Sequence, residues 1–454
     1  MKISMGSKFY VGVLFLVWLI LVLNVRANIS PGHDATTYID RAQCLANQNT
    51  KCDPLEPTYP FFLMVMMHQG LKLDRGVPFV QNVLFLISIF LFLSTALRSQ
   101  NVEPSNHKFA AMVVALVPTF LITMNGALYT ESLSASFILL QLALVLWIVK
   151  GKISSLGRLI GCLITLMILA GSLTLLKGSF FYIEILFSIF VTIFVLLSNR
   201  SFSPRIRNAT LGAMVAIFLG AFLTQKVWNS IQSVKKEGPG FSRGGAVLYG
   251  RTEYAKHFDF MTDSAPYFIN SLSESACAKI YGEECQKYTY QAENYFGFEG
   301  SSIPEDEKFQ RGKLNIIHQP FLQFGFVFYE LSRFILHHGT TGFAKLDIRY
   351  LAEIVHSVFF NFLLKVFNVF IYGATFIFIK RTFFMRNFSN GPLDRITVIV
   401  CALFVIAYLG VYGFATVVVR MAYPIAPILV ALVYIGIVEG SCPGGRLKHL
   451  VKSH

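Results

Sequence analysis

Residues 159–197 read LIGCLITLMILAGSLTLLKGSFFYIEILFSIFVTIFVLL. Two apolar runs, Leu159–Leu176 and Phe180–Leu197, are separated only by Lys177-Gly178-Ser179. A helix needs roughly 17–25 predominantly apolar residues to cross the hydrocarbon of a bilayer, and each run supplies that length. The chain therefore reads as crossing a membrane, turning at Lys177 and crossing back.

Working outward, similar runs occur at Phe9–Val25, Val77–Leu97, Phe109–Met124, Leu133–Val149, Ala209–Val227, Val355–Ile379, Ile396–Thr416 and Tyr423–Val438. The expected fold is an all-α polytopic membrane protein with about ten transmembrane helices. Composition agrees: the 454 residues are 54% hydrophobic and only 14% charged, where a soluble chain carries about a quarter charged residues. Mean hydropathy is +0.57. The first run has no small-x-small site after it and is longer than the 7–15 residues or so of a signal core, so it is read as a retained span.

A net charge of +14 raises nucleic-acid binding. The basic residues instead sit in short loops between spans, as cytoplasmic retention of Lys and Arg predicts. With Lys2 and Lys8 inside, alternation puts Arg98, Lys108, Lys150, Lys152 and Arg158 inside. Arg200, Arg205, Arg207, Lys380, Arg381, Arg386, Arg395 and the tail with Arg446, Lys448 and Lys452 follow on the same side. Tyr59–Leu71 is apolar but short; counted as a span it would reverse every later loop. It is expected to lie at the outer interface, flanked by Pro57 and Pro60.

Three regions result. Residues 1–228 form an N-terminal transmembrane module with a first outer loop at 26–76. Residues 229–350 form a polar outer domain, and residues 351–454 a C-terminal transmembrane module with an inner tail. Cys44 and Cys52 fall in the first outer loop and Cys277 and Cys285 in the second. Each close pair is a candidate disulfide in an oxidising compartment. Cys162, Cys401 and Cys442 are expected as free thiols.

Chemistry is sought where ionisable groups meet the outer face. In Gly32-His33-Asp34-Ala35-Thr36-Thr37-Tyr38 a helix is expected, with Tyr38 one turn after Asp34 and Arg41 three residues later. Asp34 suits removal of a proton from an acceptor hydroxyl, a divalent metal, or an N-cap. Arg420, between the last two spans, is an outer arginine suited to a phosphate at headgroup level or to snorkelling. Glu131 begins the fourth span. Lys177 ends the fifth, and Glu184 lies about a turn into the sixth, where an ionisable group is costly. Lys177 and Glu184 either pair or line a chamber for a charged headgroup. Arg243 and Arg251 flank glycines, an anion-site pattern that turns also produce. No P-loop, dinucleotide glycine fingerprint, zincin motif or Asp-x-Asp occurs.

Together these segments resemble the GT-C superfamily of integral-membrane glycosyltransferases, especially polyprenyl-phosphate-sugar-dependent bacterial enzymes. Protein O-mannosyltransferases and the lipid A aminoarabinose transferase belong to that broad class. Asp34 matches the family's acid after the first span. Glu56-Pro57-Thr58-Tyr59-Pro60 is similar to its Pro-Tyr-Pro segment, and Tyr129-Thr130-Glu131-Ser132 to its aromatic-small-Glu segment. Arg420-x-x-Tyr423-Pro424-x-x-Pro427 is similar to its Arg-Tyr-x-x-Pro element. Lys177-Gly178 stands where Arg-Pro is common, and His33-Asp34-Ala35 lacks the second acid of many members.

The resemblance implies inverting transfer of a sugar from a polyprenyl-phosphate carrier to a cell-envelope glycan or lipid-linked saccharide. The reaction would occur on the periplasmic side of a bacterial inner membrane. It implies Asp34 as base or metal ligand, and Arg420, Lys177 and Tyr423 at the carrier phosphate. Glu131, Glu184 and Asp40 are supporting acids. His33, Tyr38, Arg41, Arg243 and Arg251 are candidates for binding substrate. Two other classes fit the span count. An O-antigen polymerase or ligase of lipopolysaccharide assembly would depend on Arg243, Arg251, His318 or Arg333. A lipid-linked saccharide flippase would show repeats and midplane charges.

Overall fold

The computed structural model describes residues 5–29, 34–47, 56–96, 126–153, 155–198, 202–235, 243–288, 302–336, 344–346, 365–366, 369–377, 379–380, 392–414 and 423–440. Helix dominates. Five helices are long and apolar enough to cross a membrane: α4 (Gly76–Ala96), α5 (Thr130–Val149), α6 (Leu156–Leu176), α7 (Ser179–Leu197) and α8 (Pro204–Lys235). Helices α1 (Met5–Asn24), α14 (Pro392–Phe414) and α15 (Ala426–Gly440) coincide with three further expected spans. Helical fragments lie in 365–380, and the expected span Phe109–Met124 lies outside the described residues.

Helix α5 is the hub. Of its most apolar stretch 78% is buried by protein, against 39–50% for the other four. Helices α4, α6, α8 and α14 surround it. Apolar side chains on those neighbours stay exposed, Phe90, Ile168, Val227 and Ile406 among them. A water-soluble bundle would turn charges outward there; lipid accepts these side chains without penalty. The protein is thus membrane-embedded. Helix α8 packs along α6 so closely that a Cβ on Gly220 would sit 2.3 Å from the Met167 carbonyl oxygen. Only glycine admits that approach. Helix α1 packs on α4 through Trp18, Leu21 and Val22 against Val83 and Leu86.

The bundle has two distinct ends. At one, Lys150 caps α4 by donating from Nζ to the carbonyls of Thr95 (2.8 Å) and Ala96 (2.9 Å). Those are two of the orphan carbonyls that every helix C-terminus presents. Gly151 lies against Ile206 at this same end, so the loops carrying Lys150, Lys152, Arg158, Arg205 and Arg207 share it. This is the end that the basic-loop pattern assigns to the cytosol.

At the other end a two-stranded antiparallel sheet joins β1 (Val25–Ala27) to β2 (Ala344–Leu346), with Arg26 opposite Lys345. The first loop and the far end of the second are therefore on one side, as alternation of the spans requires. The Ala27 amide also donates to Asp74 just before α4. Helices α2 (Asp34–Ala46) and α3 (Thr58–His68) lie here. Helix α3 has 11 residues, about 17 Å of helix, too short to cross. Tyr59 is fully buried, meets Tyr38 edge-on at 5.1 Å and accepts from Gln81 at 2.9 Å.

Beyond α8, the polar segment folds into α9 (Arg243–Lys256), α10 (Ser264–Leu272), α11 (Glu274–Tyr281), α12 (Glu305–His318) and α13 (Pro320–Leu336). Its core is aromatic: Tyr254, Phe258, Tyr267, Tyr288 and Phe326. Most ring pairs are tilted or edge-on, the arrangement that ring quadrupoles favour. Cys277 and Cys285 are joined, Cα to Cα 5.7 Å, tying α11 to the following 3-10 turn. Cys44 is also in a disulfide; its expected partner Cys52 lies outside the described residues. Cys162 and Cys401 are free and buried.

Candidate functional site

Five segments converge at the end that carries α2 and α3. Helix α5 starts with Thr130 and Glu131. Helix α6 stops at Lys177, whose extended backbone and Gly178 make the turn into α7. Tyr408 and Tyr412 come from the last turns of α14, and Glu56 from the residue before Pro57 that opens α3.

Lys177 Nζ lies 3.2 Å from Glu131 Oε1, with 18% and 7% of the two side chains exposed. The Thr130 hydroxyl donates to the other oxygen, Oε2, at 3.2 Å. The ammonium also stands 5.7 Å from the ring centre of Tyr412, a cation–π distance. The Tyr412 hydroxyl shares a 2.8 Å hydrogen bond with Ser179, and its ring is 4.7 Å from that of Tyr408. Lys177 is therefore held between the Glu131 carboxylate and the Tyr412 ring and keeps a small exposed face.

Glu56 completes the group. Burial holds its carboxyl above the usual carboxylate range. Lys177 opposes that shift, the charge of Glu131 adds to it, and Arg41 and the Gly178 amide oppose it. Its φ is +46°, the one positive value at a non-glycine among the described residues. That conformation costs about 1–3 kcal/mol and concentrates at functional sites. Two carboxyls and the Lys177 ammonium thus share one partly buried place, and Glu56 also feels the charge of Arg41. A carboxyl with raised proton affinity beside a fixed ammonium can accept a proton from one group while the ammonium holds an anion.

Lys177 pairs with Glu131, not Glu184. Glu184 is fully buried and accepts from Gln141 at 2.5 Å, deep between α5 and α7. Tyr38 is buried in the α2–α3 contact, while Asp40 is exposed. Tyr423 is buried 6.0 Å from the Phe85 ring. Arg251 is wholly enclosed in the outer core. It donates to the Gln323 side-chain oxygen at 3.0 Å and carbonyl at 2.9 Å, and stacks 5.4 Å from Phe326. Asp34 is the first residue of α2 and Arg243 the first of α9; their side chains, with His33 and Arg420, lie outside the described residues. Among the described residues no group of three or more His, Cys, Asp or Glu is placed to hold a metal ion.

In the sequence Glu56 stands out only as part of the Glu56-Pro57-Thr58-Tyr59-Pro60 segment. Its signal was a carboxylate directly before a proline that opens an apolar helix at the outer interface. No family model and no curated protein matches the chain.

Proposed function

We propose that the protein is a GT-C-like glycosyltransferase taking its sugar from a polyprenyl-phosphate carrier at the outer face of a bacterial inner membrane. One observation carries the reading: Lys177, Glu131 and Glu56 meet, within the field of Arg41 on α2, at the membrane end from which α2, headed by Asp34, also starts. An anionic lipid headgroup arriving within the bilayer reaches that level without leaving it. The periplasmic assignment of this end follows from the basic loops at the opposite end.

In the proposed reaction an acceptor hydroxyl loses its proton to a carboxylate. Its oxygen bonds to the anomeric carbon, and the bond from that carbon to phosphate oxygen breaks. The electron pair leaves on polyprenyl phosphate. A single displacement inverts the anomeric centre. Lys177 faces the developing phosphate charge, where a preorganised cation contributes most in the transition state. Arg420 would add a second cation. Asp34 is the base implied by the family resemblance, and Glu56 is the described carboxyl best tuned for that role. The acceptor class is a cell-envelope glycan or lipid-linked saccharide. The polymerase reading loses support because Arg251, which it would use, is committed to the outer core.

The test is transfer of radiolabelled sugar from polyprenyl-phosphate-sugar to membrane-extracted acceptor by the purified protein in nanodiscs. Asp34→Asn, Glu56→Gln and Lys177→Met are each compared with wild type. Loss of two or more orders of magnitude in Lys177→Met and in one acid variant is expected. Full turnover in all three refutes the site.

A further inference from the structure

Helix α13 carries an apolar row at Phe321, Phe324, Phe328 and Leu331, spaced three and four apart and so on one face. The opposite face, with Gln323, Phe326 and Glu330, faces inward to the outer core, where Gln323 holds Arg251 and Glu330 accepts from Tyr267. That core therefore leaves the row outside. At one end of the row Leu331 packs against the transmembrane core, and α13 touches α14. Toward the other end the row is open: Phe328 is 73% and Phe321 92% exposed. The preceding helix continues it with Ile317, 68% exposed, and Leu314.

Phe321 and Phe328, with Ile317 beside them, form an exposed apolar patch of the kind that marks a membrane or partner surface. The row starts where Leu331 packs on the transmembrane core and α13 meets α14, so it leaves directly from the membrane-embedded bundle. Helices that lie in an interface plane have this design, with Phe and Leu on one face and basic residues beside them. Exposed Lys313 lies next to Leu314 on α12. We infer that the α12–α13 corner is seated in the outer leaflet, with the Phe321–Phe328 face among acyl chains and Lys313 at headgroup level. The outer domain is then attached to lipid as well as to its own spans. This conclusion rests on membrane embedding and is independent of the proposed chemistry.

The full-length protein is reconstituted in phosphatidylcholine–phosphatidylglycerol vesicles, with or without brominated acyl chains. Phe321→Trp and Phe328→Trp keep an aromatic ring at highly exposed positions, so the fold is retained. Emission is read as the difference from wild type, which has Trp18, Trp147 and Trp228. Glu284→Trp, at an exposed acid of the same domain, is the comparison. The expected result is quenching by brominated lipid at least about twofold stronger at both Phe positions than at 284, with aqueous acrylamide showing the reverse. Equal or weaker lipid quenching at the Phe positions overturns the inference. So does emission that shifts with protein-to-lipid ratio together with Phe328→Cys cross-links between copies, which would make a second chain the occupant.

Discussion

Replacing Lys177 with Met tests the site independently of any substrate. The variant keeps most of the side-chain volume and removes the ammonium 3.2 Å from Glu131. At an effective dielectric of about 20, a pair at that separation has a gross attraction of about 5 kcal/mol. The net loss is smaller, because the wild-type pair is itself partly desolvated. Removing one member of a buried pair costs about 3–5 kcal/mol, mostly from stranding the other charge. Here 18% of Lys177 is exposed and the Thr130 hydroxyl still serves Glu131, so about 2–4 kcal/mol is expected. Denaturant titration in mixed micelles measures it. Glu131→Gln in the Lys177→Met background should recover at least about half of the loss, since a neutral amide needs no counter-charge. A loss below about 0.5 kcal/mol, or no recovery in the double variant, would show that the two charges are not coupled as described.

Glu56→Gln should change the pH dependence of stability. A carboxyl that binds its proton more tightly when folded contributes stability that is complete below its ordinary value of 4.5. That stability is lost as pH rises through the elevated folded value. The variant, uncharged throughout, should gain on wild type as pH rises above 4.5 in micellar unfolding; parallel curves would contradict the upward shift. Gly220→Ala places a methyl against the Met167 backbone and should lower stability by about 1–3 kcal/mol, read as a fall in melting temperature. Cys277→Ser opens a loop closed over a sequence separation of 8 and should cost about 2.5 kcal/mol on the chain-entropy estimate, with the wild type's sensitivity to reducing agent diminished but not abolished, since the Cys44 disulfide remains. Lys150→Ala uncaps α4 and should cost about 1–2 kcal/mol, without altering ligand binding at the far end of the bundle.

The five long apolar helices were legible because a helix in lipid must satisfy its own backbone and present an apolar surface, so its length is written in consecutive residues. The short α3 was legible for the same reason, and Cys277 and Cys285 because they are close in sequence. The site was legible only in pieces. Glu131 and Lys177 stood out individually, but they lie 46 residues apart, and nothing local tells Lys177 to choose Glu131 over the nearer Glu184. Glu56 owes its raised proton affinity to burial, against the opposing charges of Lys177 and Arg41 from other parts of the chain, and no local pattern encodes that balance. Arg251 illustrates the opposite error: glycines around an arginine suggest an anion site, whereas tertiary packing stacks the guanidinium on Phe326. Strands β1 and β2, three residues each, carry no periodic signal.

The β1–β2 pairing has a consequence for biogenesis. The strand that follows α1 waits for a partner more than three hundred positions downstream. During synthesis the first span is inserted long before residue 346 leaves the ribosome, and contacts this distant in sequence form late. The amino-terminal anchor is therefore fastened only after most of the chain has been threaded through the translocon. A ribosome stalled short of that point would leave the nascent chain without this clasp, a state that quality-control proteases could recognise.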